Sequence, residues 1–152
     1  MLDSTVYENI NLSGKLSREA VVQAFTRCRL RELLESLSEG IDTQVGVGGA
    51  KLSGGERQKI TALRALLKPC QILILDEATS NYDIESEHAL YDMLLQDKTK
   101  RMTFIITHKR DILPRVDRVV YLEHGRVAGE GTYQSLLTEN ERFRAQVAII
   151  ED

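Results

Sequence analysis

Across residues 17–37 the apolar positions Val21, Phe25, Cys28, Leu30, Leu33, Leu34 and Leu37 recur with Arg and Glu between them, a spacing that predicts one amphipathic helix. Gly40 stops it. The stretch EGIDTQVGVGGAKLSGG is rich in glycine and has no period, so it reads as a loop leading into a second helix over 54–67. Ser53 and Glu56 stand as a capping box at the start of that helix, and Pro69 closes its far end. Then the pattern changes. QILILDEATS is a short unbroken apolar run ending in acids, as expected of a parallel strand buried on both faces. A helix over 84–96 follows, capped by Asp83, with Glu85 and Glu87 in the first turn, where they suit the helix dipole. MTFIIT predicts a second buried strand, ending just before His108. DRVVYLE turns through Glu123, His124, Gly125 and Arg126 into RVAGEGT, and helix is expected from Thr132 to the end. Strands alternating with helices predict the α/β class, with a helical subdomain over about 1–68 attached to a sheet-forming part over about 69–152.

Composition narrows the class. At 152 residues, 42% hydrophobic and 28% charged, the chain suits one globular domain with one core. A net charge of −3 offers no broad basic field, so no nucleic-acid partner is expected. No apolar run approaches the roughly 18 residues that a membrane span needs, and MLDSTVYENI lacks the layout of a signal peptide, so the chain reads as soluble and cytosolic. Cys28 and Cys70 are too few for a disulfide framework and have no metal-ligand spacing.

Three places carry candidate chemistry. The bare Ser53-Gly54-Gly55 at a helix mouth exposes backbone N–H groups with partial positive charge, a seat for an anion. In open α/β sheets ligands bind at the carboxyl ends of the strands, and here one such end offers Asp76 and Glu77 and the other His108. Successive strand residues point to opposite faces, so the two carboxylates divide the work. Asp76 suits Mg²⁺, directly or through water. Glu77, turned towards the cleft, suits polarising an attacking water, and His108 suits a hydrogen bond to a terminal phosphate. Taken singly, each has a plainer reading as a capping box, a solvated strand end or a structural histidine. His88 and His124 take the plain reading outright, on a helix face and in a turn.

In this order, LSGGERQ, ILILDEATS and ITH resemble the ATP-binding cassette of ABC transporters. Residues 52–56 resemble its signature motif, 72–77 its Walker B strand, 80–83 its D-loop and His108 its switch histidine. STVYENI is similar to the segment after the Q-loop, and DRVVYLEHGRVAGEGTYQSLL to the closing strands and terminal helix. TQVGVGG resembles the X-loop of exporter-type cassettes, and DEATS is the ending usual in that branch. Val47 stands where that loop usually carries glutamate. Ser80-Asn81-Tyr82-Asp83 keeps only the ends of the usual Ser-Ala-Leu-Asp. No P-loop is among these residues: Gly14-Lys15 is followed by Leu16 and preceded by Asn9 where a glycine is needed, and Lys51 lies between Ala50 and Leu52. Neither the adenine-stacking aromatic nor the Q-loop glutamine is matched. The resemblance is therefore to the second half of a cassette, a partial P-loop NTPase-like sheet with its α-helical subdomain.

The resemblance implies a head-to-tail pair of cassettes in which each signature covers the ATP on the other's P-loop. Ser53, Gly54, Gly55 and Glu56, with Asp83, would serve the partner cassette's ATP. Asp76 with Mg²⁺, Glu77 and His108 would complete a P-loop in their own cassette. The implied whole is an ATP-hydrolysing exporter whose transmembrane domains hold the cassette at the cytoplasmic side of a cell or organelle membrane and make the only membrane contact. The chain alone is expected neither to bind ATP tightly nor to hydrolyse it, and to expose strand edges and apolar surface. Two other readings remain: a non-transport ABC ATPase of the DNA-repair or chromosome-maintenance kind, against which DEATS and the lack of coiled-coil heptads argue, and a truncated interaction module that lends its signature to another cassette.

Overall fold

The computed structural model describes residues 1–97 and 101–148. Two compact units form, Met1–Ile106 and Thr107–Asp152, where one core was expected. The first contains α1 (Val6–Ile10), α2 (Arg18–Arg27), α3 (Arg31–Ser36), α4 (Gly54–Leu67), β1 (Ile72–Asp76), α5 (Ile84–Leu95) and β2 (Met102–Ile106). Its core includes Val6, Val21, Phe25, Ile60, Leu63, Leu90 and Tyr91.

α1 has no counterpart in the sequence reading, because five residues are too few to show a period. It is nevertheless specified locally. The Thr5 hydroxyl accepts from the Glu8 N–H at 3.1 Å and the Glu8 carboxylate from the Thr5 N–H at 3.1 Å, a reciprocal cap. Fully buried Asn9 then ties the helix to the chain start, donating to the carbonyls of Leu2 and Thr5 and accepting from the Leu2 N–H.

The single helix expected over 17–37 is two helices, α2 and α3. Arg29 takes a left-handed conformation, φ 52°. The Arg29 N–H then bonds the Thr26 carbonyl at 3.1 Å and the Leu30 N–H bonds the Phe25 carbonyl at 2.8 Å. That pair of bonds is a Schellman closure, which satisfies the carbonyls a continuing helix would have used. Apolar spacing passes through the break because Phe25, Cys28, Leu30 and Leu33 are buried on both sides of it. Burial also pushes the Cys28 thiol up to about 11.

β1 and β2 pair in parallel, from Ile72 opposite Met102 to Asp76 opposite Ile106, with α5 in the connection. Burial on both faces does not hold. Leu73 and Leu75 are buried, but Ile72, Ile74, Met102, Phe104 and Ile106 are 58%, 62%, 60%, 49% and 53% exposed. Among the described residues this sheet has two strands, and α4 packs on β1, so no layer covers the other face. An apolar run of that kind reports what a strand can bury against, not what is present.

The second unit holds the hairpin β3 (Val119–Glu123) and β4 (Arg126–Gly131), then α6 (Tyr133–Glu139) and α7 (Glu141–Ala148). His124 and Gly125, at φ 48° and 70°, form the two-residue turn that matches strand twist. Phe143 packs with Val119 and Leu136, and Tyr121 and Tyr133 meet its ring edge-on at 5.5 and 6.0 Å. The terminal helix expected in one piece parts at Asn140, whose side chain donates to the Ala128 carbonyl and accepts from the Phe143 N–H, both at 2.9 Å. Residues 149–152 of that expected helix lie outside those described. Among the described residues no helix is long and apolar enough to cross a membrane.

Candidate functional site

The mouth of α4 forms as its residues require. The Ser53 hydroxyl accepts from the Glu56 N–H at 3.2 Å, and the Glu56 carboxylate from the Ser53 N–H at 2.7 Å. Gly54 is exposed and Gly55 half-buried, so the first-turn amides face outward with no side chain over them. Arg57 reaches back to the Gly49 and Leu52 carbonyls at 3.3 and 2.6 Å, holding the preceding loop against the helix. Gly49 has to be glycine: its φ is 81°, and a Cβ there would stand 2.8 Å from Arg57 Cδ.

At the exit of β1, Asp76 is the last strand residue and Glu77 begins the turn; both are exposed. Glu77 has φ 45°, a left-handed conformation unfavourable for a residue with a Cβ. Its N–H bonds the Ile106 carbonyl at 2.9 Å, which fixes the turn against the end of β2. Thr79 anchors the turn from inside, donating to the Glu87 carboxylate at 2.5 Å and lying 3.1 Å from the Tyr91 hydroxyl. Glu87, expected only as a first-turn acid suited to the dipole, is 3% exposed and belongs to this buried knot.

Gln58 joins the two places. Its Nε2 donates to the Glu77 carbonyl and to Ser80 Oγ, both at 2.9 Å, and its Oε1 accepts from Asn81 Nδ2. The sequence reading passed over this residue. A signal was available, since Gln58 is i+3 and i+4 from the two glycines and so lies on their side of α4.

Asp83 caps α5, accepting from the Ser86 N–H at 2.8 Å. That bond holds its carboxyl below the usual range, and Lys59 at 3.8 Å acts in the same sense. A lowered native value means the stabilisation is complete above the range where an unfolded Asp titrates, near about pH 3.9, and is lost as pH falls through the native value. Asp83→Ala should therefore cost about 1 kcal/mol at neutral pH, with the deficit closing on acidification. Asp83→Asn, an uncharged cap, should keep the stability and lose that pH dependence; urea unfolding at stepped pH measures both.

Among the described residues no three His, Cys, Asp or Glu side chains gather as a metal cluster. The one exposed carboxylate of Asp76 fits Mg²⁺ all the same, because that ion keeps several waters and takes one or two carboxylates beside substrate phosphates. An open groove of about 450 Å³ runs beside it, lined by Arg57, Gln58, Thr61, Ile74 and Asp76 among others. Thus Ser53, Gly54, Gly55, Glu56, Asp76, Glu77 and Asp83 share the first unit. His108, exposed, lies in the second, which begins at Thr107.

Comparison with known proteins gives the family and the fold. A family model described as ABC transporter matches residues 2–80. The chain is 41% identical over 141 residues to the ATP-dependent lipid A-core flippase of Francisella tularensis subsp. tularensis (strain FSC 198), covering 91% of this chain and 23% of that protein. To the flippase of the same name from Francisella novicida it is 38% identical over 149 residues, covering 97% and 25%. The structure of a bacterial Atm1-family ABC exporter with ATP bound superposes with a TM-score of 0.81 at 31% identity, covering 97% of this chain and 26% of that one. The chain thus spans about a quarter of the length of these relatives. The chain belongs to the ABC transporter family, as part of an ATP-binding cassette of the exporter type.

Proposed function

We propose that this chain works as part of the ATPase domain of an exporter in which ATP binding and hydrolysis drive a substrate across a membrane. The mouth of α4, with Ser53, Gly54, Gly55 and Glu56, contacts the terminal phosphate of an ATP held by a second cassette packed head to tail, and Asp83 lies at the same junction. Helix-dipole attraction adds about 0.3 to 1 kcal/mol per charge near a surface and more in a closed interface. In its own cassette, Asp76 would hold Mg²⁺, which when bound would supply neutralisation of phosphate charge. Glu77 accepts a proton from the attacking water, and His108 donates a hydrogen bond to the phosphate. Transmembrane domains carry the cassette at the cytoplasmic side of the membrane. The observation that supports this reading best is the exposed helix mouth and the exposed acid-bearing turn, tied to each other by Gln58.

Phosphoryl transfer depends on positioning and charge neutralisation, which a P-loop lysine and its N–H cradle supply and these residues do not. The 152-residue chain alone is expected to show no micromolar ATP affinity by equilibrium titration. Added to a P-loop-bearing cassette, it should raise ATP turnover. Tight binding by the chain alone, or no rise on mixing, contradicts the proposal.

A further inference from the structure

We infer that Gln58, with Asn81 and Tyr82, is a positioning device that ties the placement of Glu77 to that of the α4 mouth. The roles of Glu77 and the mouth rest on the function proposed above; the mechanical link rests on the geometry alone. Both Gln58 amide protons are used, one on the Glu77 carbonyl and one on Ser80 Oγ, while its oxygen takes the Asn81 amide. A primary amide supplies two donors and an acceptor on one flat group, and neither Glu nor Met can reproduce that set. Asn81 also packs on the mouth itself, its Cβ lying 3.8 Å from where a Gly55 Cβ would stand. Tyr82 is buried, with its hydroxyl 3.5 Å from the Lys59 carbonyl and the Lys59 ammonium 5.4 Å from its ring centre.

The whole turn is therefore stitched to residues 55–59 of α4. Asn81 and Tyr82 are the two positions at which this chain departs from Ser-Ala-Leu-Asp, and neither Ala nor Leu has the polar atoms used here. Glu77 is held on both sides, its N–H by the Ile106 carbonyl and its own carbonyl by Gln58. With both flanking peptide groups fixed around a left-handed residue, a shift of α4 reaches Glu77 through Gln58, which bonds its carbonyl directly, with Asn81 and Tyr82 carrying the rest of the turn along. A load on the glycines is thereby passed to the acid, and by linkage the reverse holds.

Hydrogen exchange of the 152-residue chain tests this without nucleotide, so its failure is separate from a failure of the ATP assignment. Gln58→Ala should lower protection of the Glu77, Ser80 and Tyr82 amides by about tenfold or more while α2 and α5 stay unchanged. Gln58→Glu should lose the same protection at neutral pH and regain part of it on acidification, when its carboxyl carries a proton to donate; Gln58→Ala should show no recovery. A role in packing alone has no such pH response. Asn81→Ala combined with Tyr82→Leu should be read at the other end, as lost protection of the Glu56 and Arg57 amides. Unchanged protection at the turn, or a uniform loss across α2, α4 and α5, overturns the inference.

Discussion

In an exporter assembled with this chain in its cassette, Glu77→Gln is expected to cut ATP turnover by about 10²- to 10⁴-fold while nucleotide affinity stays within a few-fold. The amide keeps the shape of the carboxylate and loses only the capacity to take a proton from water. Turnover at saturating ATP and nucleotide binding in one preparation separate the two effects; equal losses in both would mean that Glu77 binds rather than activates. The backbone offers a second reading at the same position. Because Glu77 stands at φ 45°, Glu77→Gly should be more stable than Glu77→Ala by about 1 kcal/mol, the reverse of their order in ordinary helical positions. Denaturant unfolding of the chain measures that difference. The usual order there would mean the turn relaxes when the carboxylate is gone.

Gly54→Ala and Gly55→Ala are expected to move stability and activity in opposite directions. Both glycines lie inside α4, where glycine is a poor helix former. A Cβ at Gly54 would meet nothing nearer than Arg57 Nη2 at 3.9 Å, and one at Gly55 would make an ordinary 3.8 Å contact with Asn81. Nothing in the chain itself calls for glycine, in contrast to Gly49. Alanine should raise stability by up to about 1 kcal/mol. Turnover supported by a second cassette should fall by about 10²-fold, the scale for losing one preorganised donor to a phosphate-like charge. Full activity with a methyl at both positions would show that no phosphate approaches this helix mouth.

What was legible in the sequence follows the reach of each signal. α4 and its cap are set by residues within three positions of each other, and β1, β2 and the hairpin by short apolar runs and a turn pair, so these were readable. The break at Arg29 was not, because an arginine carries no mark of a left-handed backbone. Nor was the open side of the sheet: an apolar run states a capacity for burial, and whether it is used depends on layers that one strand cannot announce. At the site, Asp76, Glu77 and Asp83 stand where their motifs put them, at the strand end and the helix cap. The bonds of Gln58 to Ser80 and Asn81 and the Thr79–Glu87–Tyr91 knot were not legible, because the partners lie between 8 and 23 residues apart. Polar contacts of that separation leave no periodic trace.

The bare side of the β1–β2 ribbon has a consequence for how such a chain survives in a cell. Ile72, Ile74, Met102, Phe104 and Ile106 are each about half wet. Drying a large apolar side chain is worth about 1.5 to 3 kcal/mol in full, so finishing the job on all five is worth roughly 4 to 8 kcal/mol. That is comparable with the entire folding free energy of a typical domain, about 5 to 15 kcal/mol. Durability of this cassette piece is accordingly a property of its company and its concentration more than of its own interior. A copy with this panel uncovered carries a signal that chaperones and proteases can read, and any layer packed over it would silence that signal.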